Sequence, residues 1–314
     1  MTTPQQPLQS GFGARSTAAE VLAGIDLSGR YALVTGGYSG IGVESVRALA
    51  AAGAEVLVPA RRLDVAEKAL AGIEGVAAAE LDLADLGSVK ALADRLLAEG
   101  RPFDFVIDSA GVMACPETRV GPGWELQFAV NHLGHFALVN RLMPLLAEGA
   151  RVASVSSGGH GNSPIRWDDV HFANGYDRWL AYGQSKTANV LFAVQLDRLA
   201  RDSGVRAFAL HPGSIVTPLQ RHLSIAEQVE AGWIDEDGNA VADYFKNTEQ
   251  GAATQTWAVT SPSLEGEGGV YLQDCDVAEI VTEGEGVRAY AIDPAEAERL
   301  WAYSAELTGV DAFA

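Results

Sequence analysis

The sequence predicts a doubly wound α/β fold, a parallel sheet with helices over both faces. Three observations predict it. Short apolar segments alternate with segments of helical periodicity from residue 30 to residue 210, the order that parallel strands joined by crossover helices require. The first apolar segment runs straight into a glycine-rich turn, Gly36-Gly37-Tyr38-Ser39-Gly40-Ile41-Gly42, and then into a helical segment. Residues 103–107 read as apolar on both faces, as a central parallel strand must.

The composition bounds the function. A chain of 314 residues with 48% hydrophobic residues and 34 glycines suits one large globular domain with many tight turns. Twenty-two basic residues against 41 acidic ones give a formal charge of −19, which argues against nucleic acid and anionic membranes as partners, because both need basic surface. Cys115 and Cys275 stand far apart without metal-ligand spacing, so neither a disulfide framework nor a zinc site is expected, and a reduced cytoplasm fits. No apolar run approaches a membrane span, and the polar residues 1–15 lack the apolar core of a signal peptide. The first dozen residues are expected to form a loosely attached arm.

The elements follow in order. A strand at 30–35 leads through the glycine turn to a helix at 41–52. Glycines there let the backbone approach a ligand closely, and the helix start points free N–H groups at a phosphate. The spacing is G-x-x-x-G-x-G rather than G-x-G-x-x-G. The second strand, 55–59, ends in Ala60-Arg61-Arg62. In a dinucleotide fold this strand end meets the adenosine ribose, where an acid binds a free 2′-hydroxyl and an arginine accommodates a 2′-phosphate. No acid stands there, so the site reads as built for NADP rather than NAD; the competing view is that Arg61 and Arg62 merely begin a solvated helix.

Residues 76–81 form a third strand closing at Asp82, 86–99 a helix, and 103–107 a fourth strand ending in Asp108-Ser109-Ala110-Gly111. A long helix at 123–146 carries Asn131, His132 and His135, a fifth strand at 152–155 ends at Ser156-Ser157, and a sixth at 205–210 ends in His211-Pro212-Gly213. Between those two strands, 179–200 reads as one helix, so Tyr182 and Lys186 lie one turn apart on one face. An ammonium beside a phenol favours the phenolate, which suits Tyr182 to giving and taking a proton near neutral pH; alone, such a pair is more often two surface neighbours. Ligands of such sheets bind at the carboxyl ends of the strands, where every one of these clusters falls. The expected organisation is an N-terminal arm at 1–26, a Rossmann-type catalytic domain at 27–275 with a substrate lid at about 214–250, and a C-terminal extension at 276–314 with a helix at 294–307.

Thr35-Gly36-x-x-x-Gly40-Ile41-Gly42, Asn131, Ser157, Tyr182-x-x-x-Lys186 and Pro212-Gly213 occur in that order. The set resembles the short-chain dehydrogenase/reductase superfamily over nearly the whole chain. Val130-Asn131-His132-Leu133-Gly134-His135-Phe136 and Ser185-Lys186-x-Ala188-Asn189-Val190-Leu191-Phe192, with residues 17–35, resemble more closely its retinol dehydrogenase and WW-domain oxidoreductase branch. That branch is mostly NADP-linked, in agreement with Arg61.

The resemblance implies an oxidoreductase moving a hydride between NADP(H) and a carbonyl or alcohol, with a tetrad of Asn131, Ser157, Tyr182 and Lys186. Tyr182 would exchange the proton with the substrate oxygen, Ser157 would hold that oxygen, Lys186 would lower the Tyr182 pKa and bind the nicotinamide ribose, and Asn131 would hold a water of the proton relay. Between Ser156 and Ser157 the family pattern selects the second. The implied cofactor contacts are Gly36, Tyr38, Ser39, Gly40, Ile41, Gly42, Arg61, Arg62, Asp82, Leu83, Ser109, Ala110, Gly111, Tyr182, Lys186, Pro212, Gly213, Ile215 and Thr217.

Two departures matter. Asp108-Ser109-Ala110-Gly111 stands where the family usually has Asn-Asn-Ala-Gly, and the spacer 158–181 between serine and tyrosine is long, a feature the retinol dehydrogenase branch shares. Its Trp167, Tyr176 and Trp179 are expected to form a small core of their own. Leu219, Leu223, Trp233, Tyr244 and Phe245 of the lid suggest an apolar or aromatic substrate. Relatives often pair through the helices around Asn131 and Tyr182, which implies a homodimer or homotetramer. His132 and His135 lack further ligands at suitable spacing and read as packing or surface residues, not metal ligands, whereas His160 and His211 fall near the site. A non-catalytic NADP-binding redox sensor is the alternative, and the complete tetrad argues against it.

Overall fold

The computed structural model describes residues 3–314. In chain order it contains α1 (Ala18–Val21), β1 (Tyr31–Thr35), α2 (Gly40–Ala51), β2 (Glu55–Ala60), α3 (Leu63–Leu70), β3 (Val76–Glu80), α4 (Leu86–Glu99), β4 (Phe103–Asp108), the small pair β5 (Arg119–Val120) and β6 (Trp124–Glu125), α5 (Leu126–Phe128), α6 (Gly134–Leu142) and β7 (Leu146–Val155). There follow α7 (Arg178–Ala200), β8 (Arg206–His211), β9 (Ser214–Ile215), α8 (Ile225–Glu230), β10 (Phe245–Lys246), α9 (Thr248–Thr260), β11 (Val270–Gln273), β12 (Asp276–Val277) and α10 (Pro294–Thr308).

Eight strands make one sheet in the order β12-β11-β8-β7-β4-β1-β2-β3, parallel throughout except for β12. Chain order reverses between β1 and β4, the switch point at which such sheets open a crevice. Register fixes what meets there: Thr35 of β1 pairs with Asp108 of β4, and Asp108 pairs with Ser154 of β7. The three central strands therefore end level. One face of the sheet is packed by Leu33, Val106, Phe136, Leu196 and Trp301, the other by Val34, Val46, Ile107, Phe208 and Trp257.

The helix expected at 123–146 is several pieces. After β6 and α5 the chain makes a π-helical turn at Ala129–Leu133, then α6, then a 3-10 turn at Met143–Leu145. Pro144 has no N–H to continue the α-helix, and β7 starts at Leu146, earlier than the expected residue 152, although its first part pairs with β4 across a register irregularity. Of the sheet and its covering helices, the sequence-based reading lacks α9, β11 and β12, and it also lacks the short elements α1, β5, β6, α8, β9 and β10. In α9 every residue from Gly251 to Val259 is buried, so it has no polar face to set a helical stripe.

Met1 and Thr2 of the expected arm lie outside the described residues. The rest of its start is fastened, in contrast to the expected loose attachment. Gln5 exchanges hydrogen bonds with Tyr271 in β11 and with Ala278, and the Asp276 carboxylate accepts from the N–H groups of Leu8, Gln9 and Ser10. These residues cover the β11–β12 end of the sheet, which would otherwise leave polar backbone unpaired. Among the described residues no helix is long and apolar enough to cross a membrane.

The C-terminal helix agrees with expectation. Asp293 caps α10 through the N–H groups of Ala295 and Glu296. Trp301 on α10 stacks on Phe192 of α7, with centroids 5.9 Å apart and planes 6° apart, and meets Phe136 of α6 edge-on at 4.8 Å. Trp301→Ala would empty that junction, and chemical denaturation should show about 3–5 kcal/mol less unfolding free energy.

Candidate functional site

The ends of β1, β2, β4, β7 and β8 border a cleft of about 880 Å³. Gly36, Tyr38, Ser39, Gly40, Ile41, Gly42, Arg61, Arg62, Asp82, Leu83, Ser109, Ala110, Gly111, Ser157, Tyr182, Lys186, Pro212, Gly213, Ile215 and Thr217 all line it. Of the tetrad and cofactor residues expected from sequence only Asn131 does not; it is fully buried.

The glycine turn is shaped by close approach. Gly36 has φ +68°, and a Cβ there would stand 2.9 Å from the Ala110 Cα, so the turns after β1 and β4 touch. A Cβ on Gly42 would stand 2.4 Å from the Gly36 carbonyl oxygen. Ser39, at the cap of α2, makes no side-chain capping bond. By contrast Asp85, Asp177, Asn247 and Asp293 cap α4, α7, α9 and α10. The first N–H groups of α2 therefore have no side-chain acceptor at their cap and face a cleft, the arrangement that accepts an anion. Arg61 and Arg62 lie exposed on the rim, and among the described residues neither side chain has a hydrogen bond or ion pair. Open N–H donors at one place and two uncommitted guanidinium groups on the β2 side fit a ligand with phosphates at both, as a dinucleotide carrying an extra ribose phosphate has.

The other wall carries the proton chemistry. Asp177 caps α7 and starts the helix that aligns Tyr182 and Lys186. The two serines after β7 divide their work. Ser156 is buried and donates to the Lys186 carbonyl at 2.8 Å, whereas Ser157 faces the cleft and hydrogen-bonds the Tyr182 phenol. Gly159 presses on the ring: a Cβ there would lie 2.9 Å from Tyr182 Cε1.

Burial dominates the electrostatics. Taking the phenol out of water pushes Tyr182 up to about 12, opposed by the Ser157 hydrogen bond. The same burial holds Lys186 down at about 7. Its ammonium lies 5.7 Å from the Tyr182 ring centroid and donates to the Val155 carbonyl at 2.9 Å. In this arrangement burial is the larger influence on the phenol, and Ser157 is the group that opposes it.

Asn131 is fixed by three hydrogen bonds. Its Oδ1 accepts from Val112 N–H at 2.8 Å, and its Nδ2 donates to the Val112 carbonyl and to Ser185 Oγ, each at 2.9 Å. That side chain holds the chain beyond Gly111 to α7. The histidines sort by burial. His132 meets Ser304 at 2.7 Å inside the core, and His160 is held behind the site by Ser157, Arg288 and Tyr290. His211 lines the cleft and accepts from the Gly158 N–H. Among the described residues no metal-ligand cluster occurs.

The cleft mouth was only partly legible. Trp179 meets Trp233 of the lid edge-on at 6.0 Å, and Leu223 packs with Met113 and Tyr182. Met113 was missed, its one signal being its place two residues after Gly111. Trp167 and Tyr176, grouped with Trp179 in sequence, turn elsewhere: Trp167 bonds Glu296 on α10, and the Tyr176 hydroxyl donates to the Cys115 carbonyl.

Known proteins share this arrangement. The short chain dehydrogenase family model matches residues 30–228. A Streptomyces lividans protein named "Probable oxidoreductase" is 47% identical over 90% of this chain and 98% of its own. Mouse retinol dehydrogenase 12 is 35% identical over 91% of this chain and 88% of its own. A crystal structure from Mycobacterium paratuberculosis superposes with a TM-score of 0.74, at 31% identity, over 96% of this chain and 99% of that one. A Burkholderia cenocepacia short chain dehydrogenase in complex with NADP shares the fold, with a TM-score of 0.61 at 24% identity over 79% of this chain and 96% of that one.

The closeness at Gly42 is testable without any ligand. Gly42→Ala must displace the Gly36 backbone, and urea denaturation should register a loss of about 1–3 kcal/mol.

Proposed function

The chain belongs to the short-chain dehydrogenase family, near its retinol dehydrogenase branch, and we propose that it is an NADP-preferring oxidoreductase acting on a carbonyl or the corresponding alcohol of an apolar or aromatic small molecule. The observation that carries this reading is the Tyr182 phenol, hydrogen-bonded by Ser157 and facing the same cleft as the glycine turn and the uncapped start of α2.

The nicotinamide, when bound, supplies or accepts the hydride. The chain does the rest. Hydride transfer to a carbonyl leaves charge on its oxygen, and Tyr182 gives a proton to that oxygen while the Ser157 hydroxyl holds it by a hydrogen bond. Burial keeps the phenol protonated at neutral pH, the form that reduction needs; oxidation of the alcohol needs the phenolate. Lys186 reaches the same wall with an ammonium that binds a ribose hydroxyl, and Asn131 keeps Gly111 and Val112 in place behind it. The first N–H groups of α2 hold the pyrophosphate, and Arg61, with Arg62, takes the 2′-phosphate. Trp179, Trp233, Met113, Leu219 and Leu223 supply an apolar mouth, which favours an apolar or aromatic substrate.

Absorbance at 340 nm with NADPH and then NADH, across ketones, aldehydes and alcohols, tests the reading. Turnover with NADPH should fall by about 10²–10⁴ in Tyr182→Phe. No turnover with any of them, or undiminished turnover in that variant, would sink it. Arg61→Ala should weaken NADPH binding by about tenfold to a hundredfold, the loss of one charge-assisted bond, with NADH binding unchanged in calorimetry. Alcohol oxidation should rise by up to about tenfold per pH unit through about pH 10 without levelling off, because the phenolate fraction keeps growing below the raised value of about 12, while carbonyl reduction does not.

A further inference from the structure

Beneath the turn after β4 lies a titratable group that the reaction above leaves unused. Asp108 is 1% exposed, and neither of its oxygens has a hydrogen-bond partner. His135 Nε2 stands 4.0 Å from Asp108 Oδ1. The same Nε2 lies 2.9 Å from Thr35 Oγ1, and His135 Nδ1 lies 3.0 Å from the Asn131 carbonyl oxygen.

Hydrogen-bond accounting assigns the protons. A carbonyl can only accept, so Nδ1 carries hydrogen and donates to Asn131. Thr35 Oγ1 accepts from the N–H groups of Ser109 and Ala110 at 3.0 and 3.1 Å, which uses both its lone pairs. Its own hydrogen must then be donated. Nε2 at 2.9 Å is a far better acceptor than the Ile107 carbonyl at 3.4 Å. Nε2 therefore carries no proton, and the imidazole is neutral. A carboxylate beside it would draw a proton onto Nε2 and cost Thr35 its acceptor.

We propose that His135 is a positioning residue, a neutral imidazole that ties the Asn131 backbone through Thr35 to the Ser109-Ala110 turn, and that Asp108 beside it is an un-ionised carboxylic acid. The positioning role rests on the oxidoreductase reading; the protonation states do not. Burial raises Asp108 well above the ordinary carboxyl value. Burial, aided by the Lys186 ammonium and opposed by the Asn131 carbonyl, holds His135 at about 4. The neighbours from each packed element are Thr35 on β1, Ser154 on β7, His132 on the π-helical turn and Lys186 on α7. None brings a positive charge onto Asp108 that would ionise it, since its raised pKa has burial as its cause.

Asp108→Asn, the residue usual at this position in the family, gives a test independent of activity. A carboxyl whose folded pKa lies above its unfolded value of about 3.8 contributes most to stability below that value and loses the contribution as pH rises toward the folded pKa. The Tm difference, variant minus wild type, should therefore grow more positive from about pH 4 to 8. A variant Tm that falls below wild type increasingly from acid to neutral pH would mark an ion-paired carboxylate and overturn the proposal. So would imidazolium nitrogen shifts for His135 at pH 7 in NMR. His135→Phe keeps the ring and removes both hydrogen bonds, so amide exchange at Ser109 and Ala110 should quicken at least about tenfold, with His135→Gln, which can still donate to Asn131, intermediate. In turnover, kcat should fall at least about tenfold in the Phe variant while KM changes less than about threefold. Unchanged exchange in the Phe variant overturns the positioning role. Wild-type protein that turns over no carbonyl strikes instead at the oxidoreductase reading, and the Tm, nitrogen-shift and exchange outcomes remain decisive for the pair.

Discussion

The Thr35 hydroxyl is the point on which the site depends. By accepting from Ser109 and Ala110 it clamps the turn after β4 to the end of β1, at the place where strand order reverses and no ladder hydrogen bond can continue the sheet. With the two turns drawn together, Gly36 must lack a Cβ, because Ala110 occupies its space. Gly42 in turn must sit against Gly36, which brings the first turn of α2 over the cleft. One side-chain oxygen thus sets where the anion-binding end of α2 stands relative to Gly111, and Gly111 in turn packs on Asn131 and Lys186. The two halves of the cleft are positioned by backbone contacts, which have few alternative geometries, rather than by long side chains.

Local signals were legible wherever one residue type had one physical use. The glycine turn, the strand ends and the Tyr182–Lys186 spacing belong to this class, and the structure puts all of them at one cleft. The choice of Ser157 over Ser156 was not legible from the residues alone, since two adjacent serines point to opposite sides of the backbone and only the fold says which side is the cleft. Elements that lost their polar face were also hidden. Neither α9 nor α7 offers a strong amphipathic stripe, because both are enclosed on nearly every side; α7 was still legible from Leu180, Ala188, Leu191, Phe192, Leu196 and Leu199 at helical spacing, and α9 was not. The π-helical turn at Ala129–Leu133 has no composition of its own that separates it from an α-helix.

Charge reasoning from spacing leaves out burial, which is the first cause acting on both groups. Two residues four apart on a helix do approach, but a nearby ammonium helps a phenolate only if the ammonium itself stays charged. At Lys186 the same desolvation that penalises the phenolate penalises the cation, so the pair shifts apart, the phenol upward and the amine downward. Any group that brings negative charge or strong acceptors into the cleft reverses part of the penalty on Lys186, and through it the penalty on Tyr182. The proton chemistry of the site is therefore tied to what occupies it, and burial without occupancy favours the resting, protonated phenol.

Selectivity at the mouth follows from how the lid is held. Its two ends are clasped where β9 pairs with β10, and Lys246 of β10 donates to Asp274 at 2.5 Å beyond β11. Its helix α8 is tied to the start of α7 by the Arg178–Glu227 ion pair. That tie consumes the cation nearest Trp179 and leaves the indole of Trp179 facing the indole of Trp233. The two indoles and the Met113–Leu223 contact give the mouth an apolar side, while Arg221 lines the same cleft. Because Arg178 lies four residues before Tyr182 on the same helix, the ion pair that closes the lid also bears on the wall that carries the phenol. The lid helix and the wall that carries the phenol are thus fastened to one element, α7.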